Sequence, residues 1–139
     1  MKQFTTILAT LALVSTIYAA PKVTPALCKN FDHKLAKVDS FKFTGTIKPG
    51  ASITLIATGE VLITDTINRA FEHEVYNGVT VKNAVFPLSH PYSVKKGDKS
   101  FSTTIEIPNV PLFGTFTGRF ELMDTKSVRV GCVEVTVKF

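Results

Sequence analysis

The chain has 139 residues, a formal net charge of +5, 45% hydrophobic residues and 19% charged residues. That length suits a single domain with one core, and the apolar content excludes a disordered or low-complexity chain. The basic residues are scattered, only Lys95 and Lys96 being adjacent, and no aromatic stripe interleaves with them. Nucleic-acid binding is therefore not expected, and the charge supports at most transient contact with an anionic membrane surface.

Met1 and Lys2 precede a low-charge apolar run over 7–18, and the small residues Ala19 and Ala20 stand before Pro21. This pattern predicts a secretory signal peptide over 1–19 and a folded domain over 20–139. The run is shorter than the roughly 20 residues of a membrane span. The expected destination is the extracellular space or the endosomal or lysosomal lumen. Residues 20–26, with Pro21 and Pro25, read as a linker. Cys28 and Cys132 stand at opposite ends of the domain, and an even pair in an oxidising compartment favours a disulfide. His33, His73 and His90 have no ligand spacing relative to them, so neither a metal nor a cofactor is expected.

From Asp39 onward the chain reads as strand after strand. Phe41 and Phe43 alternate before a break at Gly45, Pro49 and Gly50, and Ile53, Leu55 and Ala57 follow. A turn is expected over 58–60, after which Val61, Ile63 and Ile67 keep period two. Phe71 and Val75 belong to the next run, and Asn77-Gly78 is a hairpin signal before Val79, Val81 and Val85. Residues 87–99, with Pro91 and Gly97, are predicted as loop. Phe101 and Ile105 alternate with polar residues, and Phe116, Gly118, Phe120 and Leu122 share one face of a further strand. The turn between these two strands holds Pro108, Pro111 and Gly114, yet also Val110, Leu112 and Phe113. Turns are normally polar, so these side chains either cap a core or line the mouth of an apolar pocket. A β-branched strand over 128–139 ends the chain. Seven or eight short strands without a persistent helical period predict an all-β sandwich.

Catalysis finds little support. There is no G-x-S-x-G nucleophile elbow, and Glu72 and Glu74 fall on the opposite face of a strand from His73. The histidines read as solvated surface.

Several motifs, in this order, resemble a secreted lipid-binding family. They are Lys48-Pro49-Gly50, the run from Ile53 to Gly59, Lys95-Lys96-Gly97-Asp98, Ile107-Pro108, Pro111-Leu112-Phe113-Gly114, Phe120-Glu121-Leu122-Met123-Asp124, and the run from Cys132 to Phe139. The family is the ML, or MD-2-related lipid-recognition, domain family, which includes Niemann–Pick type C2 sterol carriers, fungal phosphatidylglycerol/phosphatidylinositol transfer proteins and group 2 mite allergens. The resemblance implies an immunoglobulin-like β-sandwich of two antiparallel sheets with an apolar cavity between them. It also implies a bridge from the domain's start to its last strand, where Cys28 and Cys132 stand. Other bridges common in the family lack their cysteines here, and His90 stands where a Cys-Pro pair would begin.

By the same resemblance Phe86, Pro87 and Leu88 form a pocket entrance, and Val110, Leu112 and Phe113 lie in a second entrance loop. Phe101, Ile105, Phe116 and Phe120 are candidates for the pocket wall. The function implied is non-catalytic carriage of a sterol or phospholipid by a monomer. The alternative is a lipid-dependent co-receptor or protein-interaction module of the same fold. Burial supplies enough energy for carriage: at about 0.8 kcal/mol per methylene, a 14-carbon segment contributes about 11 kcal/mol before ordering costs.

Overall fold

The computed structural model describes residues 21–139; the expected signal peptide, 1–19, and residue 20 lie outside the described residues. Eight strands follow in order: β1 (Lys22–Leu27), β2 (Ala36–Thr44), β3 (Ser52–Val61), β4 (Asp65–Tyr76), β5 (Val79–Val94), β6 (Ser100–Glu106), β7 (Thr115–Asp124) and β8 (Arg129–Lys138). They form two antiparallel sheets, one of five strands in the order β1-β8-β7-β4-β5 and one of three in the order β2-β3-β6. The expected all-β sandwich is therefore present.

The central strand β7 shows why the sequence folds this way. Phe116, Gly118, Phe120 and Leu122 point into the sandwich, as their alternation predicts, and the three large side chains are buried. A Cβ at Gly118 would come 2.6 Å from the Phe120 ring, so the missing side chain lets the two phenylalanines close over that position. On the outer face Arg129 reaches Glu121 at 2.7 Å and covers the Phe71 ring at 4.9 Å. The interior divides into two apolar clusters. One gathers Ile53, Leu55, Ile105, Phe116, Phe120 and Val135, and the other gathers Leu35, Val61, Ile67, Val94 and Leu122. The disulfide Cys28–Cys132 ties the end of β1 to β8, and the Cys28 N–H donates to the Cys132 carbonyl at 3.2 Å.

Four local expectations are corrected. The supposed linker over 20–26 contains most of β1, which pairs with β8 along its whole length. Its Pro25 is tolerated because β1 is an edge strand with one unpaired side. The turn expected over 58–60 is continuous β3, and Gly59 instead serves a bulge in β2 between Val38 and Ser40. A Cβ there would lie 2.0 Å from the Lys37 carbonyl oxygen, so only glycine permits the approach. The two arms around the 107–114 turn do not pair with each other; β6 and β7 lie in different sheets, and the turn carries the chain from one to the other.

The fourth correction concerns 87–94, predicted as loop together with 95–99. This segment is the second half of β5, the other edge of the five-stranded sheet. Pro87 and Pro91 punctuate it without ending it, because an edge strand needs hydrogen bonds on one side only. The ladder with β4 pairs Arg69 with Pro87 and Ile67 with Tyr92, so residues 88–91 stand against Asn68 alone and swell away from the sheet.

Candidate functional site

At about 4.8 Å between strands, the five-stranded sheet spans about 19 Å and the three-stranded sheet about 10 Å. The smaller sheet cannot cover the larger one. On one side β1 of the larger sheet and β2 of the smaller one touch, so the sheets meet there. On the other, the two edges are β5 and β6, and between them opens a cavity of about 410 Å³. That volume falls within the roughly 300–1,000 Å³ of small-molecule sites.

The swollen part of β5 builds one wall of the cavity. Phe86, Leu88 and Tyr92 supply apolar surface, and His90 stands at the rim between Ser89 and Pro91. Thr103 of β6 forms part of the facing wall, with Glu106 farther along the same strand, and Glu72 of β4 reaches the cavity from the larger sheet. Burial pushes the Tyr92 phenol up to about 12, so it stays a neutral hydroxyl.

Beside the cavity lies a charged group. Glu72 and Glu74 both face inward on β4, and Lys82 is opposite Glu74 in the ladder with β5. Lys82 Nζ is 3.3 Å from Glu72 Oε2 and 5.0 Å from the centre of the Phe86 ring. Glu74 is 1% exposed, and neither of its carboxyl oxygens has a hydrogen-bond partner. Burial pushes its carboxyl up to about 7, Lys82 pulling it back and Glu72 and Glu106 adding to the rise. Burial pulls Lys82 down, but the carboxylates of Glu74, Glu72 and Glu106 outweigh it and hold the ammonium above its ordinary range.

The structure brings Phe86, Pro87 and Leu88 together at this cavity, on a strand rather than on a turn. Val110, Leu112 and Phe113 lie elsewhere, where the 107–114 crossing is pinned to the β4–β5 hairpin. Asn77 Nδ2 donates to the Phe113 carbonyl at 2.9 Å, and the Thr115 N–H donates to Asn77 Oδ1 at 2.8 Å. The Phe113 N–H donates to the Tyr76 hydroxyl at 2.8 Å, and that hydroxyl donates to the Pro111 carbonyl. Leu112 packs on the first apolar cluster, whereas the Phe113 side chain is 65% exposed with its ring edge towards Tyr76. Ile105, Phe116 and Phe120 belong to the first cluster and Phe101 packs against the second; none of the four lines the cavity.

Sequence reading missed Glu72, Glu74, Lys82, Tyr92 and Thr103. The alternation in Glu72-His73-Glu74 put both carboxyls on one face, but only strand pairing shows that this face is the inner one. Among the described residues no group of histidine, cysteine or acidic side chains could hold a metal ion.

No protein-family model matches the chain, and no curated protein sequence matches it. Solved structures do. Chicken MD-1, in its complex with lipid IVa, superposes with a TM-score of 0.54 at 18% identity, over 87% of this chain and 91% of that one. The fold is that of the ML domain. A Niemann–Pick type C2 protein from the Japanese carpenter ant shares it, with a TM-score of 0.50 at 14% identity over 80% of this chain and 96% of that one. At such identities the likeness speaks for the ML fold and not for a ligand.

Proposed function

We propose that the protein is a non-catalytic lipid carrier that holds a sterol or phospholipid between its sheets, admitted where β5 and β6 flank the open side. The cavity of about 410 Å³ at that side is the observation that carries this reading. Phe86, Leu88 and Tyr92 offer the lipid's hydrocarbon its contact. The exposed Phe113, on the 107–114 crossing away from the cavity, is the apolar side chain that meets the membrane surface transiently. The reading gains support from chicken MD-1, a protein of the same fold whose structure holds lipid IVa. The apolar run over 7–18 supports reading 1–19 as a signal peptide and the domain as working outside the cell or in the endosomal or lysosomal lumen.

Binding of a fluorescent sterol and of a fluorescent phospholipid, measured beside thermal unfolding, tests the proposal. Phe86→Asp sets a charge on the cavity wall that the lipid must desolvate, so ligand retention falls while the cooperative unfolding transition persists. Wild-type binding by this variant would move the site away from the β5–β6 side.

A further inference from the structure

We propose that one end of the sandwich docks on an anionic bilayer: Phe113 and Val79 enter its headgroup boundary, and Lys22, Lys48 and Lys138 meet the acidic head groups around them. This rests on the lipid-carrier reading, in which lipid passes between protein and membrane, and it names the surface and the kind of membrane. Phe113 and Val79 are 65% and 64% exposed, the two most exposed large apolar side chains among the described residues. They share one end of the molecule. Val79 pairs with Tyr76 across the β4–β5 hairpin, and the Phe113 ring stands edge-on to Tyr76 at 5.9 Å between centres.

The backbone under Phe113 is fixed from several directions. Tyr76 and Asn77 hold it from the hairpin, the Asn77 N–H donates to the Thr115 carbonyl at 2.8 Å, and the Phe139 N–H donates to the Gly114 carbonyl at 3.0 Å. Its neighbour Leu112 packs on the core, so the crossing buries one apolar side chain and presents the next to solvent. A side chain already fixed in place gives up little freedom on insertion. Two such side chains suffice to anchor at the headgroup–acyl boundary. They are too few for the core of a stable protein interface, which takes about 800 Å² from each partner.

Charge at this end selects the membrane. Lys138 pairs with Thr115, just past the crossing, and Lys22 pairs with Lys138 on the neighbouring strand. Like charges directly across a ladder destabilise a sheet, and an anion placed between them relieves the repulsion. Lys48 lies in the connection between β2 and β3, where the Gly50 N–H donates to the Pro108 carbonyl at 3.3 Å. All three lysines are exposed, and among the described residues none has a carboxylate within ion-pair distance. The acidic side chain at this end is Glu106, which borders the cavity. A surface of lysines around a short apolar tip fits a bilayer with acidic head groups.

The test is co-sedimentation with vesicles of phosphatidylcholine alone and of phosphatidylcholine with about 30% phosphatidylserine, using protein purified from its native source and variants expressed there. Wild type should bind the anionic vesicles at least about tenfold tighter, each lysine contributing about fivefold, and the gap should close in about 1 M salt. The triple variant Lys22→Gln, Lys48→Gln, Lys138→Gln should lose the preference. Phe113→Ser with Val79→Ser should weaken binding to both vesicles by about tenfold or more. Phe86→Asp, altered in the cavity and not at the tip, should dock as wild type does. Equal wild-type binding to the two vesicles, or a preference that survives in the triple variant, overturns the proposal. So does docking that Phe86→Asp abolishes and the tip variants keep, or a dimer in sedimentation velocity that Phe113→Ser with Val79→Ser dissociates while wild type ignores vesicles. Each of these leaves the carrier reading standing if the soluble protein still binds fluorescent sterol or phospholipid; loss of that binding in wild type is the failure of the carrier reading itself.

Discussion

Glu74 is where the fold works against its own stability. Its carboxyl keeps a proton up to about pH 7 in the folded protein, whereas the unfolded chain releases it near the ordinary 4.5. Between those values the unfolded state binds fewer protons, so stability falls as pH rises, by on the order of 3 kcal/mol across the window. Glu74→Gln should remove that decline. Urea unfolding of both proteins at pH 4.5 and pH 7.5 measures it, and equal pH dependence in the two would contradict the assignment. Two glycines make a matched pair. Gly114 has φ +75°, and a Cβ there would lie 2.0 Å from Asn77 Oδ1, whereas Gly78 has φ +80° and open space around it. Gly78→Ala should cost about 1 kcal/mol for the left-handed backbone alone. Gly114→Ala should cost more, about 2–3 kcal/mol, because it also breaks the Asn77 bonds to Phe113 and Thr115. Chemical denaturation that ranked them in the reverse order would contradict the anchoring role of Asn77. Asn77-Gly78 was legible from the sequence because a two-residue hairpin turn requires left-handed residues at adjacent positions. The dependence of Gly114 on Asn77 was not legible, because it joins positions far apart in the chain.

At the scale of elements, alternation was readable wherever a strand has one wet and one dry face. Phe116, Phe120 and Leu122 of β7 and Ile53 and Leu55 of β3 are inward as their period predicts. Proline and glycine misled where the sheet context changes their meaning. Pro25, Pro87 and Pro91 all fall on edge strands, and Gly59 lies at a bulge, so none of the four ends its strand. Edge position is a property of the whole sheet and cannot be read from the segment itself. For the same reason half of the candidate site was legible. Phe86, Pro87 and Leu88 were singled out by the family resemblance, whereas Glu72 faces the cavity only through the pairing of β4 with its neighbours. The 107–114 crossing carries two different apolar side chains. Leu112→Asp should lower the midpoint of thermal unfolding clearly, since Leu112 packs on the core. Phe113→Asp should leave it nearly unchanged. Scanning calorimetry of the two variants separates them, and equal losses would make Phe113 part of the core cap. Phe120→Ala, inside the first cluster, should cost about 3–5 kcal/mol whether or not ligand is present.

The molecule as a whole is closed on one side and open on the other. The Cys28–Cys132 bridge closes a loop of sequence separation 104, which restricts the unfolded chain by about 4–5 kcal/mol in the entropic account. Replacing both cysteines with serine should lower stability by an amount of that order without altering the cavity on the far side. The open side follows from strand numbers: three strands cannot cover five, and the edges left facing one another are β5 and β6. In the proposed carrier role, lipid would fill a cavity lined by none of the buried members of either apolar cluster. Organic extraction of protein purified from its native source, followed by mass spectrometry, tests the proposed lipid carriage most directly. The account predicts a lipid recovered in near-equimolar amount from wild type and depleted from Phe86→Asp. Wild-type protein that yields no lipid, and takes none up from an offered total-lipid extract, would contradict it.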